Sequence, residues 1–74
     1  MRSLYFQTLV RNAGLEGWSP AVRPDPRGHG HVAVLTSPDF DPGRGCGRIV
    51  TARAAWATRA VLDAIARANG PVLQ

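Results

Sequence analysis

The chain has 74 residues, nine basic and five acidic, with a formal net charge of +4 and one cysteine. A domain of this length buries only about 60% of the surface its unfolded chain exposes, so little stability is left over for a deep catalytic cleft. The lone Cys46 excludes an intrachain disulfide, and the apolar runs are too short to cross a membrane. Together with an N-terminus that lacks an apolar signal-type run, this predicts a cytoplasmic protein built as one small domain over residues 1–74.

In chain order, "LYFQTLV" from Leu4 is rich in aromatic and β-branched residues and is punctuated by Asn12 and Gly14. That composition predicts a strand over about 3–10, with a helix as the alternative. A second strand is expected at about 17–23, where Pro20 restricts it to an edge because proline cannot donate to a ladder. "PDPRGHG" is a turn cluster, and "HVAVLTS" alternates apolar and polar positions, predicting a third strand over about 31–37 and a hairpin with the second.

A Gly/Pro-rich loop follows at 38–47, and "RIV" adds a few extended residues before a helix expected over about 51–69. Thr51 would cap its start, Asn69 and Gly70 would close it, and Pro71 would prevent its continuation. The expected fold is therefore α+β: a three-stranded antiparallel sheet covered by one C-terminal helix. Were the N-terminal run helical instead, the fold would become an α-β-β-α sandwich able to bury Trp56 directly.

On a helical projection at about 100° per residue, Val61, Leu62 and Ile65 form the sheet-facing stripe, with Ala54, Thr58 and Ala68 beside them. Trp56 falls opposite, sharing a sector with Arg53, Ala60, Asp63 and Arg67. Three roles are open to it. The N-terminal segment or the loop at 39–47 covers the indole, as expected for a residue type that is usually well buried. Alternatively, Ala52, Trp56 and Ala60 form a flat interface between two copies of the chain. In the third role, Trp56 joins the surrounding arginines in a basic, aromatic surface for nucleic acid.

The remaining chemistry is sparse. His29 and His31 with Cys46, Asp39 or Asp41 are of metal-ligating type, but their spacing matches no zinc module, and surface histidines at a hairpin are the expected role. "DFDPG" resembles a fragment of a calcium loop with its glycine too early and no closing glutamate, so turn-making aspartates are expected. "GRGCGR" could offer backbone amides to an anion with Arg44 and Arg48 alongside, although Arg48 stands where a third glycine would be needed. No serine or cysteine has an activating context, so neither an enzyme nor a cofactor is expected.

The order of three strands then a helix, with an Ala-Trp pair in the helix, resembles the arm-binding domains of tyrosine integrases, small DNA-binding domains that present a three-stranded sheet to the major groove. The resemblance implies contacts from the sheet, whereas the charge readable here falls on helix and loops, so no residue is carried over. All nine basic residues are arginine in an alanine- and glycine-rich chain, a pattern that GC-rich coding produces, and they form no dense run. Their guanidinium forks nonetheless match phosphate geometry. The expectation is a small binding module for DNA or RNA using Arg44, Arg48, Arg53, Arg59 and Arg67. The alternative is a protein-interaction module, homodimeric through Ala52, Trp56 and Ala60.

Overall fold

The computed structural model describes residues 4–70. Residue 3, the start of the expected first strand, and Pro71, the expected helix stop, lie outside them. The element order is α1 (Leu4–Asn12), β1 (Ser19–Pro24), β2 (His31–Thr36), β3 (Ile49–Ala54) and α2 (Ala57–Ala68). The strands form an antiparallel sheet in the order β1-β2-β3, an α+β arrangement with a three-stranded sheet and a C-terminal helix against it. Three of the elements, α1, β3 and the start of α2, differ from the sequence reading.

The N-terminal run is a helix, not a strand. Phe6, Leu9, Val10 and Ala13 recur at the i, i+3, i+4, i+7 spacing of one helical face, and all four pack into or against the core. The β-type composition of "LYFQTLV" is overridden by that burial, while Leu4 and Tyr5 stay exposed. Asn12 and Gly14 do mark a stop, but of a helix. Gly14, at φ +86°, lets its own N–H reach the carbonyl of Arg11 and that of Leu15 reach Val10. This double closure of the last turn brings Leu15 onto Val10 in the core.

The third strand comes from residues 49–54, and the last helix starts at Ala57 instead of Thr51. "IVTARA" alternates outward and inward: Ile49, Thr51 and Arg53 are exposed, Val50 and Ala52 buried, Ala54 half-buried. All six residues pair with β2, so the ladder outweighs the helix propensity of the Ala/Arg run. Trp56 is the N-cap residue of α2, with extended φ −117° and ψ 145° and no side-chain capping bond. The end of α2 is as expected: Asn69 and Gly70 donate to Ile65 and Arg67 carbonyls, with Gly70 at φ +75°.

Both helices lie on one face of the sheet. Val10, Leu15, Ala33, Leu35, Val50, Ala52 and the buried side of α2 form a single cluster, with Leu35 and Val61 fully enclosed. The buried side of α2 is Ala60, Val61, Ala64, Ile65 and Ala68, which keeps Val61, Ile65 and Ala68 of the expected stripe. Leu62, expected in the core stripe, is 44% exposed. Three residues of each strand point to the opposite, helix-free face. Cross-strand register arranges these nine in three rows: Ser19–Thr36–Ile49, Ala21–Val34–Thr51 and Arg23–Val32–Arg53.

The loop between β2 and β3 has structure of its own. Asp41 and Cys46 exchange backbone hydrogen bonds to close a small hairpin. Ser37, buried at its base, donates its hydroxyl to Asp39 and accepts from the Arg48 amide. Gly47 is at φ +84°, and a Cβ there would overlap the backbone of Phe40, so this close approach admits only glycine.

Candidate nucleic-acid interface

The five arginines selected from sequence do not form one surface. Arg44 lies on the small hairpin, paired with Asp41 at 3.7 Å. Arg48 stacks over the Trp18 ring, 5.8 Å from its centroid, and donates to the Ala68 carbonyl. It thereby closes the end of α2 against the sheet, where a cation is favoured by the helix dipole. Arg59 pairs with Asp63 one turn further along α2, at 3.4 Å, on the side of the helix that faces solvent.

Arg53 and Arg67 do come together, and they are joined by Arg23, which the sequence reading left out. These three line a depression of about 330 Å³ on the helix-free face, floored by Val32, Val34 and Thr51. Arg23 and Arg53 arrive from β1 and β3 in the same row of the sheet, flanking Val32. Arg67 comes from the last turn of α2 and donates to the Thr51 carbonyl on the edge strand, 3.2 Å away. Across the row, successive strands stand about 4.8 Å apart, so the backbones bearing Arg23 and Arg53 are separated by roughly 10 Å.

Val32 shows how the row is built. It is only 6% exposed although it belongs to the helix-free face and takes no part in the core cluster. Its cross-strand neighbours are Arg23 and Arg53, both exposed, and arginine stems so placed shield an apolar neighbour while the charged ends stay in water. Asp25 completes the arrangement. Its Oδ1 accepts from the Arg27 amide in the β1–β2 turn, and its Oδ2 lies 3.6 Å from Arg53 Nε. The Asp25 side chain is 9% exposed, so the turn itself fixes the carboxylate that orients Arg53. Arg23 is reachable from the sequence in principle, because Arg23 and Val32 take equivalent places on either side of the predicted hairpin; the loss of the third strand hid its counterpart, Arg53.

The other sequence candidates resolve differently. Trp56 is 73% exposed, so neither the N-terminal segment nor the 39–47 loop covers it. The wheel that grouped it with Arg53 and Ala60 fails because residues before Ala57 are not helical. Ala52 and Ala60 are buried in the core, so the flat patch expected around Trp56 is absent. Trp56 stands three residues beyond Arg53, at the end of the sheet occupied by the arginine row.

His29 and His31 are separated from Cys46 by the length of β2. His31 opens that strand and Cys46 lies in the loop beyond its far end, about 17 Å of strand away. His31 Nδ1 instead sits 3.4 Å from the Ala55 carbonyl. Among the described residues, no group of three or more His, Cys, Asp or Glu side chains is placed to hold a metal. Five amides of "GRGCGR" are already engaged within the chain: those of Gly43 to Cys46 bond to Asp41 or Pro42, and that of Arg48 bonds to Ser37. Asp39 and Asp41 make turns by accepting from Ser37 and Gly43. Among the described residues, no helix is long and apolar enough to cross a membrane.

Comparison with protein-family models, curated proteins and solved structures yields no match for this chain.

Proposed function

We propose that the protein is a small, non-enzymatic, cytoplasmic nucleic-acid-binding module whose contact surface is the helix-free face of the sheet, centred on Arg23, Arg53 and Arg67. The convergence of three guanidinium groups from three elements on one concave region carries this reading. With Asp25 the one acidic side chain paired to these arginines among the described residues, the region keeps a net charge of about +2, from three positive groups and one negative. Guanidinium forks bind phosphate oxygens in bidentate fashion, and a polyanion gains further by releasing its counterions. Trp56, at the same end of the sheet, adds an exposed ring able to stack on a base or pack on a sugar.

The test is fluorescence anisotropy of a labelled duplex and a labelled single strand, titrated at low and near-physiological salt. Binding that weakens steeply as salt rises supports the reading. Indifference of both ligands at low salt overturns it.

The competing reading is a protein interface, homodimeric or with another chain, and the exposure of Trp56 is the observation in its favour. It predicts a mass that rises with concentration and falls back to the monomer in Trp56→Ala, measured by sedimentation.

A further inference from the structure

The nucleic-acid reading leaves open what the depression itself recognises. We infer that it seats a single phosphate group of the polynucleotide backbone, held from three sides by Arg23, Arg53 and Arg67; the inference rests on that reading for the source of the phosphate.

The volume of about 330 Å³ stands at the bottom of the range of small-molecule sites, roughly 300–1,000 Å³. The region is too small to enclose a nucleotide run but sufficient for one anionic group and its flanks. Its floor is apolar at Val32 and Val34 and adds one hydroxyl at Thr51, so an anion entering it exchanges water for the arginines and that single hydroxyl. Two of the three arginines are held in place before anything binds. Asp25 engages Arg53 at Nε, leaving its terminal nitrogens free, and the Thr51 carbonyl takes one terminal nitrogen of Arg67, leaving its remaining N–H groups. Arg23 has no ion-pair partner among the described residues and completes the third side. A phosphate group presents tetrahedrally disposed oxygens, which donors converging from several directions can share. A carboxylate is planar and satisfies one fork well.

The nine residues of the helix-free face contain no aromatic side chain, so the face has no ring of its own for a run of unpaired bases and only Trp56 stands at its end. That inventory assigns the face to the backbone rather than to bases. Asp25 is then a positioning residue: it sets the angle of Arg53 and takes no part in contacting the ligand.

The experiment follows the arginine Nε–H resonances of the full chain by NMR during titration with inorganic phosphate, and in parallel with acetate at matched ionic strength. Arg23, Arg53 and Arg67 should shift together along one saturating curve with phosphate, while Arg44 and Arg59 stay in place and acetate gives at least tenfold weaker response. Arg53→Gln should raise the phosphate midpoint at least fivefold, with its unfolding midpoint checked to confirm that the chain still folds. Asp25→Asn, which keeps an acceptor for the Arg27 amide, should broaden or displace the Arg53 resonance in the absence of ligand. Equal shifts with acetate, or a linear drift of every arginine, overturn the phosphate seat. Saturation by phosphate without any binding of duplex or single strand supports the seat and overturns its nucleic-acid source. Salt-sensitive duplex binding with no phosphate response leaves the nucleic-acid reading standing and overturns the seat.

Discussion

The two faces of the sheet bury similar residues by different means. On the covered face, Ala33, Leu35, Val50 and Ala52 are enclosed by two helices, and what surrounds them is apolar. On the open face, Val32 reaches nearly the same burial with no helix above it, between two arginines. The first kind of burial draws on the hydrophobic effect from both partners and is insensitive to salt. The second couples packing to charge, because the residues that flank Val32 on both sides end in guanidinium groups. Equal exposure values therefore hide unequal roles: one face holds the fold, and the other sets three cations around one depression.

The sharpest way to break the comparison is to cut equivalent side chains on neighbouring positions of β2. Leu35→Ala, on the covered face, removes a fully enclosed side chain and should destabilise by about 2–5 kcal/mol, read by chemical denaturation. That is a large part of the roughly 5–15 kcal/mol that holds a folded domain together. Val34→Ala, on the open face and half-exposed, should cost less than about 1 kcal/mol. Comparable losses at both positions would mean that the open face is covered in solution.

Next in size is Gly47→Ala, in the hinge of the loop that brings β3 back to β2. Its positive φ and its contact with the Phe40 backbone each oppose a Cβ, so the variant should lose about 1–3 kcal/mol. A neutral result would show that the small hairpin from Asp41 to Cys46 moves independently of the sheet.

Binding distinguishes the faces in another way. The Arg53→Gln, Arg67→Gln double variant should lose about 1–3 kcal/mol of stability, since Asp25, 9% exposed, is left without its ion-pair partner, and should still fold. It should weaken duplex binding at least tenfold, a change of about 1.4 kcal/mol. If each residue neutralises one phosphate, the slope of log affinity against log salt should fall by about 1.8. An unchanged slope would remove these residues from the contact surface.

How much of this was readable beforehand depended on periodicity. The alternation in "HVAVLTS" and the turn cluster before it located β2 and the hairpin, and Asn69 and Gly70 located the end of α2, because in each case local geometry and chain chemistry agree. At the two ends of the chain they disagreed. In "LYFQTLV" the residue types favour a strand, while Phe6, Leu9 and Val10 have helical spacing that matters only once α2 and the sheet are present to bury them. In "TARAAW" the residue types favour a helix, while the two-residue alternation of Ile49 to Ala54 matters only once β2 is there to pair with it. A helical reading of residues 51–56 sets Arg53 beside Ala60 and Trp56, whereas it stands on a strand in the same row as Arg23, and only the packing of α2 brings Arg67 to the same place.

The smallest expected effect is also the one that separates a located site from diffuse charge. Arg59→Gln removes one positive charge from the chain, as Arg53→Gln does, but from the solvent-facing side of α2 in the helical layer. The exposed Arg59–Asp63 pair is one turn apart on a helix, a type worth about 0.3–0.5 kcal/mol, so its loss should scarcely alter stability. At physiological salt the Debye length is about 8 Å, and a charge on the far layer is largely screened from a ligand seated on the sheet. Duplex affinity should therefore change by less than about twofold in anisotropy titrations. If Arg59→Gln instead weakens binding as much as Arg53→Gln, affinity follows net charge rather than geometry, and the convergence of Arg23, Arg53 and Arg67 has no part in recognition.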